Sequence, residues 1–309
     1  MKTIKLITPV ALFAAVVLAS SGVCKAGQPV AAATATPAPE EEAKSRISGS
    51  VGVALTNAYV FFGLIQDKDT LIAQPYLNLS FSLYEGEGFL NSLSFELPLW
   101  ASVHDINKPR PINGNSTLKN WYEFDISPGF SFTLAKNWTF TISDYIYTSP
   151  GDYFATSHNL NLGLSYDDSG LLGAFALNPH FYFQQELTNH AGLAVKNGVA
   201  FSSDAAQGQY YEFGIAPGHT FAEKSTYPVT LTFPSTVGFG SSGFYGQGFG
   251  FFSTGASVSV PLAFIPSSYG TWTTSASGLY YYLGSTSSFY TNSSERSQGV
   301  FAWTIGTEF

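Results

Sequence analysis

The side chains of this sequence best placed to do chemistry are acids. Glu96, Glu123, Asp125, Glu186 and Glu212 fall on the polar parity of alternating segments. Carboxylates ringed around an enclosed space hold a negative potential there, which favours cations and disfavours anions. Trp100, Trp121, Tyr182 and Tyr210 share that parity. Aromatic faces beside carboxylates could carry a sugar by stacking, or could simply fill the interior of a small barrel. The five histidines (His104, His158, His180, His190, His219) show no ligand spacing such as H-E-x-x-H, so no metal is expected. Ser157 and His158 are neighbours that would point to opposite faces of a strand, and His104-Asp105 is an isolated pair. Neither builds a nucleophilic constellation, and no enzyme activity is expected. The glycine-rich runs at 238–240 and 246–250 lack the lysine and helix start of a phosphate-binding loop, so no cofactor is expected either.

What must position these groups follows from composition. Only 11% of the 309 residues are charged while 16% are aromatic, against about 25% charged in an ordinary soluble protein. Much of the surface must therefore face something other than water. A bundle of membrane helices needs runs of about 20 apolar residues, and the longest apolar run, residues 9–19, is too short and too near the start. A membrane β-barrel is left.

That early run has its own explanation. Lys2 and Lys5, an apolar stretch and small residues up to Ala26 have the layout of a secretory signal, residues 1–26. The single cysteine, Cys24, would leave with it, and Val23 makes a poor lipobox. Loss of Lys2, Lys5 and Lys25 takes the net charge from −8 to −11, which argues against nucleic acid as a partner. Residues 27–45, rich in Ala, Pro, Thr and Glu, read as a disordered periplasmic leader.

From residue 46 to 309 the period is two. In residues 121–134, Tyr122, Phe124, Ile126, Phe130, Phe132 and Leu134 alternate with Glu123, Asp125, Ser127, Gly129, Ser131 and Thr133. Strands are expected at 47–63, 70–84, 89–103, 119–134, 137–147, 157–167, 172–187, 208–222, 227–239, 249–263, 270–284 and 299–309. Connections after even strands are short and those after odd strands mostly long, with the 20-residue stretch around 188–207 a candidate constriction or binding loop. The fold class is all-β, a transmembrane up-and-down antiparallel barrel of about twelve strands with both chain ends on one side. Tyr122, Trp138, Tyr147, Trp272, Tyr282 and Trp303 fall on the apolar parity and read as interfacial girdles. A phase slip is required between Ile142 and Tyr145. Pro75, Pro98, Pro128, Pro179, Pro217, Pro234 and Pro261 fall within the expected strands, where each removes a ladder hydrogen bond, so bulges or strand ends are expected at most of them.

Two local patterns stand out. Residues 121–132 and 210–221 echo one another at an offset that aligns Glu123 with Glu212. At the end, Phe301, Trp303, Ile305 and Phe309 share one face, and a last strand of this kind resembles the signal read by the machinery that inserts barrels into bacterial outer membranes. The segments WYEFDISPGFSFTL, NWTFTISDYIYTSPGDY and HNLNLGLSYDD and the terminal WTIGTEF together resemble TorF-type porins and related twelve-stranded outer-membrane channels. The resemblance implies an outer-membrane pore for passive diffusion of small solutes. The inward acids add weak cation selectivity or passage of neutral solutes such as sugars. The competing expectation is a non-conducting structural or adhesive barrel whose outer loops bind a partner.

Overall fold

The computed structural model describes residues 45–105, 117–188, 207–245, 248–285 and 296–309. The expected signal, the leader before Ser45, His190 and nearly all of the 188–207 connection lie outside these residues. The described chain runs β1 (Ile47–Phe61), β2 (Leu64–Glu85), β3 (Leu90–His104), β4 (Trp121–Ile126), β5 (Gly129–Leu134), β6 (Trp138–Thr148) and β7 (Ser157–Tyr166). A helical turn α1 (Ser169–Leu172) leads to β8 (His180–Thr188), β9 (Gln209–Ile215), β10 (Gly218–Phe221), β11 (Val229–Thr232) and β12 (Ser235–Gly240). A second turn, α2 (Ser242–Tyr245), precedes β13 (Phe249–Pro261), β14 (Thr271–Leu283) and β15 (Ser297–Glu308).

These segments form twelve staves, because β4 with β5, β9 with β10 and β11 with β12 each make one wall element broken in the middle. All pairings are antiparallel. The first stave meets the last through a ladder from Ser50↔Glu308 to Thr56↔Ala302, so the sheet closes on itself. The breaks are at Pro128, Pro217 and Pro234, and Pro179 and Pro261 lie at strand ends. Pro75 and Pro98 stay inside continuous strands. At Pro75 the β2–β3 ladder skips from Ala73↔Val103 to Tyr76↔Trp100, as expected where a backbone donor is missing.

Period-two alternation sorts the wall into two faces. The outward face is apolar and exposed, with Leu83, Phe130, Leu164, Phe213, Val258 and Phe301 among its side chains. Trp138, Trp303 and Tyr282 stand on the same face. The inward face changes character along the barrel axis. Toward the end where Ile47 and Phe309 lie it is hydroxyl-rich, with Ser131, Thr139, Ser257, Ser275 and Thr304. Toward the far end it carries Trp100, Tyr145, Tyr147, Tyr182 and Tyr210, all buried.

Two connections differ most from the expected lengths. The one between β7 and β8 is longer than four residues and holds α1 and a 3-10 turn at Gly173–Phe175, so the seventh stave starts at His180 and not at residue 172. The one between β1 and β2 is a two-residue turn in which Phe62 and Gly63 both take positive φ, 47° and 76°. That geometry suits a tight hairpin whose twist matches its strands.

Candidate functional site

The site is the far half of the lumen, and its centre is that hairpin. Register shifts between Thr56 and Ala58 and between Tyr59 and Val60 bend the end of β1. Such shifts increase local twist and re-aim the strand. The tip enters the barrel, and Ala58, Tyr59, Val60, Phe61, Phe62 and Leu64 are all buried. Phe62 meets Tyr210 on β9 with ring centroids 4.1 Å apart, Tyr182 on β8 at 6.0 Å and Phe244 on α2 at 5.8 Å. Phe61 meets Tyr147 on β6 at 5.1 Å, and Tyr59 meets Trp100 on β3 at 5.3 Å. In ring order β8 and β9 stand across the barrel from β1 and β2. The hairpin therefore crosses the lumen and is packed on both sides, and α2 fastens it through a hydrogen bond from the Tyr245 hydroxyl to the Phe62 carbonyl.

The acids lie in and below this plug. Glu123 accepts the Tyr59 hydroxyl at 2.8 Å, and Glu212 accepts the Tyr210 hydroxyl at 2.5 Å. The two members of the sequence echo thus sit at matching inward positions and carry the same partner type. Asp125 is buried beside Glu123's strand position, and among the described residues its Oδ1 has no hydrogen-bond partner. Glu186 is fully buried and accepts the Gly208 amide at 2.6 Å, which ties the ends of β8 and β9 together. Glu96 is the acid below the plug, in the hydroxyl-lined half, where Ser80 donates at 2.8 Å and Ser94 donates from the same strand. Gln184 accepts the Tyr147 hydroxyl at 2.8 Å and donates to Asn159 at 3.4 Å.

Of the aromatic residues expected inside, Trp100, Tyr182 and Tyr210 are buried in the lumen, and Trp121 is not. A bulge opposite Ser102 and Val103 leaves Tyr122 as an extra residue between Glu123 and Trp121. Trp121 turns outward, 37% exposed, with its ring edge-on to Phe124 at 5.7 Å. Tyr122 turns inward, stacks on His104 at 4.6 Å and donates to Gln66 at 2.7 Å, which corrects its reading as a girdle residue. Tyr147 is corrected in the same way. The ladder between β6 and β7 runs from Trp138↔Tyr166 to Tyr147↔Ser157 without a shift, so no phase slip exists. Its inward face changes from hydroxyl residues to tyrosines partway along, and hydropathy alone misassigns the parity there. Phe301, Trp303, Ile305 and Phe309 share the outward face.

A group that sequence spacing missed lies beside the hairpin. His104 Nδ1 is 2.8 Å from Asp67 Oδ2, and its Nε2 is 2.7 Å from Ser102 Oγ. Ser102 and His104 are two apart on β3 and so share a face, which is a visible signal. Asp67 reaches them only because β2 follows the bent hairpin. Ser157 faces inward and buried while His158 faces outward and pairs with Asp144 at 3.1 Å, so these neighbours do not act together. Among the described residues, no group of three or more His, Cys, Asp or Glu side chains is placed to hold a metal ion.

No family model and no curated protein matches the sequence. Solved structures with a similar course of chain include the beta domain of the Bordetella autotransporter BrkA, at 10% identity, 86% of this chain, 99% of that chain and a TM-score of 0.48. An outer-membrane channel from Pseudomonas putida F1 covers 85% of this chain and 95% of its own at 10% identity and a TM-score of 0.45. The NanC porin covers 84% and 98% at 12% identity and a TM-score of 0.40.

Proposed function

We propose that the chain spans a bacterial outer membrane and serves as a channel for passive diffusion of small solutes, of the TorF-type porin kind, with weak preference for cations or neutral solutes such as sugars. The observation that carries this reading is the segregation of the closed wall, apolar outside and hydroxyl- and carboxylate-bearing inside. The half of the interior below the hairpin is lined by hydroxyls and Glu96, and a lipid-facing barrel with a polar lumen is what conducts small solutes. The hairpin across the far half supports a resting state with little conductance and passage when the tip withdraws. Its density of packing also favours one second reading, a non-conducting barrel whose far-end loops bind a partner. The outward Phe301, Trp303, Ile305 and Phe309 suit recognition by the barrel-assembly machinery during insertion.

Planar-bilayer recordings of the refolded protein under a salt gradient test the proposal. Discrete conductance steps with a cation-selective reversal potential are expected, larger once the hairpin is loosened. Anion preference would reject the selectivity, and silence of both the native and loosened forms would favour the second reading.

A further inference from the structure

We propose that Ser102, His104 and Asp67 form a nucleophilic triad that cleaves carboxylic acyl esters admitted to the far end of the lumen, with Gln74 donating to the oxyanion. The connectivity is the one acyl transfer requires. The Asp67 carboxylate accepts from Nδ1–H of His104 at 2.8 Å, which leaves Nε2 as the acceptor for the Ser102 hydroxyl at 2.7 Å. A base that is hydrogen-bonded to the nucleophile and oriented by a third group is the general signature of such a site.

An independent observation points to a ligand at the same place. Gln74 is 1% exposed, and among the described residues neither its amide nitrogen nor its amide oxygen has a hydrogen-bond partner. A buried amide in that condition is costly and calls for an explanation. The ladder locates it. With Ala73↔Val103 and Tyr76↔Trp100 on either side, Gln74 stands opposite Ser102 on the inward face, where directly opposed side chains have Cβ atoms about 5 Å apart. Pro75 interrupts the ladder beside this position, so the wall there is held less tightly by backbone bonds.

The chemistry balances with water as the second substrate. Ser102 Oγ bonds to the ester carbonyl carbon while its proton passes to His104 Nε2. The carbonyl oxygen becomes an oxyanion facing the Gln74 amide. The bond from carbon to the alkoxy oxygen breaks, and the alcohol leaves with the proton from His104. Water then attacks the acyl carbon, gives a proton to His104 and releases the acid, and the proton returns to Ser102. The rings of Tyr122 and Tyr59 cover His104, at 4.6 Å and 6.1 Å. The ester reaches Ser102 when the turn at Phe61–Leu64 moves aside beyond the Tyr59↔Asp67 pair, which keeps Asp67 on His104, so loosening Phe62 accelerates the reaction.

A fluorophosphonate probe on the full refolded chain in detergent micelles, with adducts located by mass spectrometry, tests the assignment. Heat-dependent gel migration verifies that each variant is a folded barrel. An adduct on Ser102 is expected in the native protein and to form at least tenfold faster in Phe62→Gly. It should be absent in Ser102→Ala and at least a hundredfold slower in His104→Gln. Asp67→Asn should slow labelling and displace its pH profile, which a merely structural Asp67 would not do. No adduct on Ser102 even in Phe62→Gly, or an equal rate in folded His104→Gln, overturns the proposal, whatever the conductance of the barrel.

Discussion

Phe62, at the tip of the β1–β2 hairpin, lies against Tyr210 on the opposite wall, with ring centroids 4.1 Å apart and planes inclined by 35°. This contact joins two sides of a cylinder through its middle. Removing it tests the hairpin both as a source of stability and as an obstruction. Phe62→Ala should destabilise the barrel by about 3–5 kcal/mol, the usual range for a buried Phe→Ala change, read from urea unfolding in lipid vesicles. The same variant should conduct more than the native chain in a planar bilayer. Unchanged conductance would mean that the hairpin is not the obstruction.

The Tyr59 hydroxyl is the described donor to Glu123 Oε2. Tyr59→Phe leaves a buried carboxylate oxygen without that donor, at a cost of about 1–3 kcal/mol. The double variant Tyr59→Phe/Glu123→Gln should lose less than the sum of the two single changes. Strict additivity in a double-mutant cycle would show that the bond contributes nothing.

On the outer wall, Leu162 stands midway along β7, opposite Ile142 and Phe183. Leu162→Arg should cost about 2–4 kcal/mol in vesicles, as expected for a cation near the bilayer midplane. Ser80→Arg, on the inward face beside Glu96, should leave stability nearly unchanged and reduce cation preference in the reversal potential. Equal costs at the two sites would contradict the assignment of faces.

Tyr76 lies over two glycines on neighbouring strands. A Cβ on Gly52 would meet the Tyr76 ring at 2.7 Å and the Ile305 carbonyl at 2.6 Å, so neither ring nor backbone leaves room. Gly52→Ala should therefore destabilise by about 1–3 kcal/mol, in the range of overpacked sites. Pairing it with Tyr76→Ala should restore part of the loss in the same unfolding assay.

Where one face of a strand is uniformly apolar and the other uniformly hydroxyl-bearing, as at Leu160, Leu162 and Leu164 against Asn159, Asn161 and Ser165, alternation alone assigns the wall correctly. Proline spacing was similarly informative at Pro128, Pro217 and Pro234, because a missing donor has few places to go in a closed sheet. Legibility failed where the interior is itself aromatic. Tyr147 looks like a girdle residue until Gln184 and Phe61 are seen beside it. Trp121 and Tyr122 exchanged faces because one extra residue opposite Ser102 and Val103 reverses parity, and no composition signal marks a bulge. Asp67 could not be joined to His104 from spacing, since their contact depends on a hairpin that bends inward instead of projecting.

The inward hairpin also constrains how the molecule can be made. Its tip touches β3, β6, β8, β9 and α2, so those rings reach their packed positions only when the wall has curled around it. Joining β1 to β15 seals the cylinder with the hairpin already part of its contents. The β1–β2 hairpin thus serves as a mandrel around which the described strands are arranged.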